Sequence, residues 1–474
     1  MEEMVSKLNS IAWGPWMLIL LVGTGIFMTC RVGFLQLRKF GYVMKNTIGK
    51  IFKKQQAGEG EVTPFQAMST ALAATVGTGN IAGVTGAILI GGPGAVFWMW
   101  MSAFFGMITK YAEVVLAIRY RERNEKGDWV GGPMYYIKNG MGKNWKWLGI
   151  VFSVLACLAA FGIGNMTQIN TIATSINTAM SSMGVNVAAS VSLFGQSFQI
   201  SNLIIGVLIA GIVGMVLLGG VKRIGAVAEK LVPFMAAVYI LVSLTVVFFN
   251  LDAVGPIFAS IFKGAFSPDA ALGGAFGITV MTAVQKGIGR GVFSNEAGLG
   301  SAPMAHAASS ETNPVKQGLY GVFEVFMDTI IICTLTALVL MCGIHSGVEV
   351  SWGQGGGVEL ISASISTIFG NRLGSIIVAV SIVLFALSTV LSWALYGSRC
   401  FEFLFGSKVL PVYQIIFVLV CVVGASMQLD LVWNIADTLN GFMAIPNLIA
   451  VLALSGVVVK LTRDHFRKDR LDIK

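Results

Sequence analysis

Charge is scarce in this chain. Asp, Glu, Lys and Arg make up 12% of its 474 residues, well below the roughly 25% usual in soluble domains. Its three histidines, His306, His345 and His465, are too scattered for a metal centre, and its six cysteines (Cys30, Cys157, Cys333, Cys342, Cys400, Cys421) have no C-x-x-C spacing. These counts support neither a disulfide framework nor a transition-metal site. The apolar runs also lack a His-x-x-His, Glu-x-x-His or Ser-Lys arrangement of useful spacing, so neither an enzyme nor a resident cofactor is expected. The segment MEEMVSK lacks the basic n-region of a signal peptide, and the apolar run behind it, Trp13 to Cys30, reads as a retained spanning helix.

Apolar residues are abundant: 55% of the chain is hydrophobic and the mean hydropathy is +0.79. This is the composition of an all-α polytopic membrane protein. Eleven runs are long enough to span, centred near residues 22, 78, 107, 163, 211, 240, 291, 329, 384, 417 and 444. Lys and Arg test this division, because basic residues in short loops stay on the cytoplasmic side. The loops after runs one, three, five, seven and nine, together with the tail from Lys460, hold 26 of the 32 basic residues. Only Lys7, Lys263 and Arg372 fall on the other side, leaving Lys110, Lys286 and Arg290 within or at the ends of spans. The expectation is a multi-pass protein of the cell membrane with its N-terminus outside and its C-terminus cytoplasmic. The net charge of +9 then follows from topology and does not indicate nucleic-acid binding.

Two of the runs are interrupted. Run two contains Gly77-Thr78-Gly79-Asn80, and run seven contains VQKGIGRGVFSNEAGLGSAP, Val284 to Pro303, with glycines at 287, 289, 291, 298 and 300. Five spans separate them, so two units that each open on such a helix have opposite orientation. Gly-interrupted spans at matching positions of two halves point to an inverted-repeat transporter with its site near the midplane. Backbone groups freed by a break must find partners in lipid: carbonyls can take a cation, and N–H groups at a half-helix start can take a carboxylate. Close packing through Gly79 and Gly83 is the alternative for run two, whereas packing does not require Arg290, Ser294, Asn295 and Glu296 in run seven. GTGNIAG lacks dinucleotide-binding spacing.

The segments GGPGAVFWMWMSAFFG (Gly91 to Gly106), RGVFSNEAGLGSAPMAHA (Arg290 to Ala307) and VGTGNIAG resemble the signature segments of the alanine or glycine:cation symporter family. The resemblance runs over essentially the whole chain. It implies a LeuT-type fold of two inverted five-helix repeats preceded by one extra N-terminal helix. The divisions become 1–62 for the extra helix and basic loop, 63–252 for the first repeat with its break at 77–80, 253–458 for the second repeat with its break near 287–291, and 459–474 for the tail. It further implies symport of alanine or glycine with sodium or, in some members, protons. A sodium ion would be held by the carbonyls of Ala73, Val76 and Phe385 and the hydroxyls of Ser388 and Thr389, although hydroxyls in apolar helices also bond back to their own carbonyls. A second cation would lie near the Thr75 carbonyl and Asn80. The substrate carboxylate would meet Thr78 and Gly79, with Gly287, Gly289 and run four supplying partners for the ammonium.

Run four has a polar stripe, Asn165, Gln168, Thr171 and Ser175, on one helical face, with Gln168 nearest the expected midplane and Phe161 about two turns away as gate or core. Lys286, Arg290, Glu296, Glu324, Asp328 and Asp437 are the remaining intramembrane charges. Ion pairing of Arg290 with an acid is the economical arrangement, and any of the acids could instead carry a coupling proton. A channel remains the rival from another class, although it would usually show rings of like residues.

Overall fold

The computed structural model describes residues 2–50, 57–58, 61–193, 196–267, 279–354, 357–427 and 430–471. Lys53, Lys54 and Lys474 of the basic segments lie outside them. The uncharged runs are helical because helices satisfy their backbone groups internally. The first span, α1 (Pro15–Val32), is followed by two half-helices, α2 (Pro64–Thr75) and α3 (Ala82–Gly91), and by α4 (Gly94–Tyr120). A π-helical turn at Gly162–Met166 joins α5 (Lys146–Phe161) to α6 (Thr167–Ser182), after which come α7 (Ile200–Leu217) and α8 (Gly220–Phe248). Next, α9 (Val280–Asn295) leads through an irregular turn to α10 (Pro303–His306), and a π-helical segment, Phe326–Cys333, joins α11 (Pro314–Val325) to α12 (Thr334–His345). The chain ends with α13 (Asn371–Phe405), α14 (Leu410–Ser426), α15 (Asp430–Ala453) and the tail helix α16 (Ser455–Leu471). Two short antiparallel hairpins, Glu122–Arg123 with Trp129–Val130 and Ser190–Leu193 with Gln196–Gln199, sit in the connections.

Among the described residues nine helices are long and apolar enough to cross a membrane, and α2 with the Thr78–Gly91 segment, bent by 56°, makes a tenth. The expected seventh run accounts for the difference from eleven: α9 has 16 residues and carries Lys286 and Arg290, so it does not qualify by length and composition. The expected break near 287–291 is also corrected, since α9 runs unbroken through those residues. Gly287 and Gly291 serve packing there. A Cβ on Gly287 would lie 2.3 Å from the Ala95 carbonyl oxygen, and one on Gly291 would lie 2.3 Å from Ser102 Oγ, both on α4. The chain opens later, at Glu296, whose φ of 56° is left-handed, and turns through Gly298 and Gly300 at φ 93° and 80°, values that favour glycine.

The first break is equally local in origin. A capping box starts α2: Thr63 Oγ1 accepts from the Gln66 N–H at 3.1 Å, and Gln66 Oε1 accepts from the Thr63 N–H at 3.0 Å. The helix ends at Val76, and Gly77 is extended. A Cβ at Gly77 would lie 2.5 Å from Thr389 Oγ1, so glycine permits α13 to approach the break. α4 packs against α9 and α11, α2 against α8 and α13, and α13 also against α5 and α6. Both breaks are thereby brought beside α13.

Candidate functional site

At the first break, the Ser388 and Thr389 hydroxyls donate to the Ala73 carbonyl at 3.2 and 3.0 Å. Both also return to the Phe385 carbonyl one turn back, at 2.8 and 3.0 Å. All four residues are buried, as is Val76, whose N–H bonds the Leu72 carbonyl at 2.8 Å. Four of the five residues expected around a cation are therefore in mutual contact. The set contains only neutral oxygens, a composition that suits a hard monovalent cation.

Just beyond, the Thr78 N–H points at Gln168 Oε1, 3.4 Å away, while Gln168 Nε2 donates to the Ile163 carbonyl at 3.1 Å. Thr78 Oγ1 is buried and finds no hydrogen-bond partner among the described residues. Asn80 clasps the break from inside, accepting from the Gly77 N–H at 2.9 Å and donating to Asp328 Oδ1 at 2.6 Å. Asp328 also accepts from Ser294 and Thr329 at 2.9 and 2.8 Å. It sits in the π-helical segment and, among the described residues, makes no ion pair. Thr75 Oγ1 returns to the Leu72 carbonyl at 3.1 Å.

Other expected site residues go elsewhere. Asn165 donates to the Phe417 carbonyl on α14 at 2.7 Å, because the π-helical turn takes it out of phase with Gln168. Thr171 bonds its own helix at the Thr167 carbonyl, 2.8 Å away. Phe161 packs on Tyr413 and Phe417 of α14, half-buried against the core. Gly287 lies against α4, whereas a Cβ on Gly289 would meet no neighbouring atom within 4 Å. Neither contributes to the first break.

The second break is charged. Lys110 Nζ, fully buried on α4, donates to the Asn295 carbonyl at the end of α9 at 2.7 Å and lies 3.8 Å from Glu324 Oε2. A cation at a helix C-terminus complements its dipole. His306 Nε2 bonds Glu324 Oε1 at 2.6 Å, and Gln317 Nε2 meets His306 Nδ1 at 2.8 Å. Glu296 accepts from Trp393 Nε1 at 3.0 Å and from Ser301 Oγ. Glu324 thus serves the second break, whereas Asp328, four residues on, joins Asn80 of the first break to Ser294 in the last turn of α9. Sequence reasoning missed Lys110, His306 and Trp393 as partners, although a lysine inside an apolar span was itself a signal.

A cavity of about 190 Å³ reaches the first break between α3 and α9, lined by Thr78, Gly79, Gly83, Arg290, Phe293 and Trp433 among others. The Phe293 and Trp433 rings stack with centroids 6.4 Å apart, and Arg290 lies over the Phe293 ring at 5.3 Å. Among the described residues Arg290 has no ion pair within 4 Å, contrary to the expected pairing with an acid. Asp437 instead accepts from Asn9 at 2.9 Å.

Residues 1–474 match the model of the sodium:alanine symporter family. The chain belongs to that family. It is 46% identical to the sodium/alanine symporter AgcS of Methanococcus maripaludis, over 97% of this chain and 96% of that one. It is 36% identical to the probable sodium/glutamine symporter GlnT of Bacillus subtilis, over 99% and 92% of the two chains. Among solved structures, that of MhsT in complex with L-phenylalanine covers 86% of this chain and 99% of its own at a TM-score of 0.58 and 13% identity, a likeness that concerns the fold alone. As a member of the sodium:alanine symporter family the protein is a multi-pass membrane transporter and not an enzyme.

Proposed function

We propose that this transporter is a sodium-coupled symporter of alanine or glycine working by alternating access. The observation that carries the reading is the contact of Ser388 and Thr389 with the Ala73 carbonyl, which gathers neutral oxygens from α2 and α13 where a helix has been opened. Sodium is cargo in this reading, held by Ala73, Val76, Phe385, Ser388 and Thr389. A second cation position lies near the Thr75 carbonyl, Asn80 and Asp328. The substrate carboxylate meets the N–H groups of Thr78 and Gly79, and Gln168 Oε1 turns from the Thr78 N–H to the ammonium. A cavity of about 190 Å³ lined by Thr78 and Gly79 opens onto this position.

The architecture we propose has eleven crossings, with α9 and its following turn as the seventh, in two inverted five-helix repeats after one extra helix. The N-terminus lies outside the cell membrane and the C-terminus in the cytoplasm, as the basic residues suggest. A cation moving inward gains about 2.3 kcal/mol per 100 mV, and about 1.4 kcal/mol is tenfold. A neutral zwitterion is thereby concentrated roughly 40-fold by the potential alone.

The test is uptake of labelled alanine into proteoliposomes under a sodium gradient, under potassium in its place, and under a proton gradient. Uptake that follows sodium and loses that dependence in Ser388→Ala/Thr389→Ala supports the reading. Uptake that follows protons and ignores sodium refutes sodium coupling and turns attention to Asp328, a buried carboxylate surrounded by neutral donors. Flux without saturable counterflow makes it a channel.

A further inference from the structure

A cavity of about 430 Å³ lies where α1 ends, between that end and α16. Arg31, Arg38, Lys39, Arg463 and Arg467 all line it, and among the described residues no acidic one does. Among the described residues none of the five makes an ion pair. The turn after α1 builds this concavity. Gly33 is left-handed at φ 70°, and Arg38 Nη1 donates to its carbonyl at 3.2 Å, folding the short helix Leu35–Arg38 back toward α1. Arg31 is held by Ser455 Oγ at 2.6 Å, and Lys39 lies 5.1 Å from the Phe466 ring centroid. The start of the first loop and the tail helix are thus fastened together with five cations around one opening.

A positive-inside bias alone asks only that basic residues lie on one side. It does not gather residues 31–39 and 463–467 around one hollow. Five like charges there repel one another unless an anion joins them, and arginine forks match phosphate oxygens in particular. The neighbouring Phe27, Phe34 and Leu37 are 42%, 42% and 62% exposed, and Phe27 belongs to a membrane-spanning helix. Exposed apolar side chains within a few residues of the basic ones, at a span's end, fit an anion carrying acyl chains. We infer that this hollow binds the phosphodiester headgroup of an anionic lipid. On the orientation proposed above it faces the cytoplasmic leaflet, where anionic lipids attract basic segments close to the membrane.

The test uses the full chain in mixed micelles, titrated with phosphatidylglycerol, with phosphatidylcholine or with inorganic phosphate, and follows thermal unfolding. Phosphatidylglycerol is expected to raise Tm where phosphatidylcholine does not. Arg463→Gln/Arg467→Gln removes two cations for which no hydrogen bond or ion pair is found among the described residues, so folding is expected to be retained, and it should raise the half-effective lipid concentration about 30-fold, at roughly fivefold per basic side chain. Arg463→Lys/Arg467→Lys should stay within a few-fold of wild type, and Lys263→Gln/Arg372→Gln, remote from the hollow, should match it. Equal stabilisation by phosphatidylcholine, or an unchanged response in the glutamine variant, overturns the site. Equal stabilisation by inorganic phosphate overturns the lipid assignment in favour of a free anion. The readout involves neither alanine, sodium nor a gradient, so its failure is distinct from failure of the symport reading.

Discussion

The two interruptions beside α13 are built on opposite principles. The first, at Val76–Asn80, is lined on its α13 side by neutral hydroxyls and carbonyls, with Ser388 and Thr389 resting on Ala73. The second, at Glu296–Ala302, is fastened by ionisable groups, with Lys110 on the end of α9 and Trp393 on Glu296. Neutral oxygens can exchange a partner for a cation at modest cost. A buried ammonium and its carboxylate cannot separate cheaply, since breaking such a pair costs about 3–5 kcal/mol. One break is therefore suited to binding and release, the other to holding shape.

The sharpest way to break this comparison is Lys110→Met, which leaves Glu324 with His306 alone and uncaps α9. Thermal unfolding should show a loss of about 3–5 kcal/mol, partly recovered in Lys110→Met/Glu324→Gln, and an unchanged Tm would remove the structural role of the charge. Next comes Ser388→Ala/Thr389→Ala, expected to raise half-saturating sodium for uptake at least about tenfold, worth ~1.4 kcal/mol, while Tm moves little. A large stability loss with unaltered sodium dependence would mean that the hydroxyls only brace the helices. Trp393→Phe removes one donor from buried Glu296 and should cost about 1–3 kcal/mol, read by denaturation. The smallest effect belongs to Gly289→Ala, within roughly 0.5 kcal/mol, against about 1–3 kcal/mol for Gly287→Ala, which overpacks on Ala95. Similar Tm values for the two would contradict the packing assigned to α9.

Much of the first break was legible because its cause is local. Gly77 to Asn80 interrupt an uncharged run, and Asn80 and Thr78 do lie at the opening. The second break was misplaced by several residues because five glycines offered themselves, and sequence alone does not say which of them meets a neighbour. Gly287 and Gly291 face α4, whereas Gly298 and Gly300 turn the chain. The stripe on run four failed in the same way, since an ideal helical period carries no trace of the π-helical turn that sends Asn165 to α14. Asp328 was visible as an intramembrane acid, but its partner Asn80 stands 248 residues away.

By itself the sequence determined the membrane class, the positions of the apolar runs, the side on which basic residues gather and the first opening. All of these follow from the cost of charge and of unpaired backbone in lipid, which acts on short segments. Tertiary structure decided which carboxylate serves which break, where α9 opens, and that residues 31–39 and 463–467 share one hollow. Those outcomes depend on contacts between helices distant in the chain, set by which surfaces fit closely together.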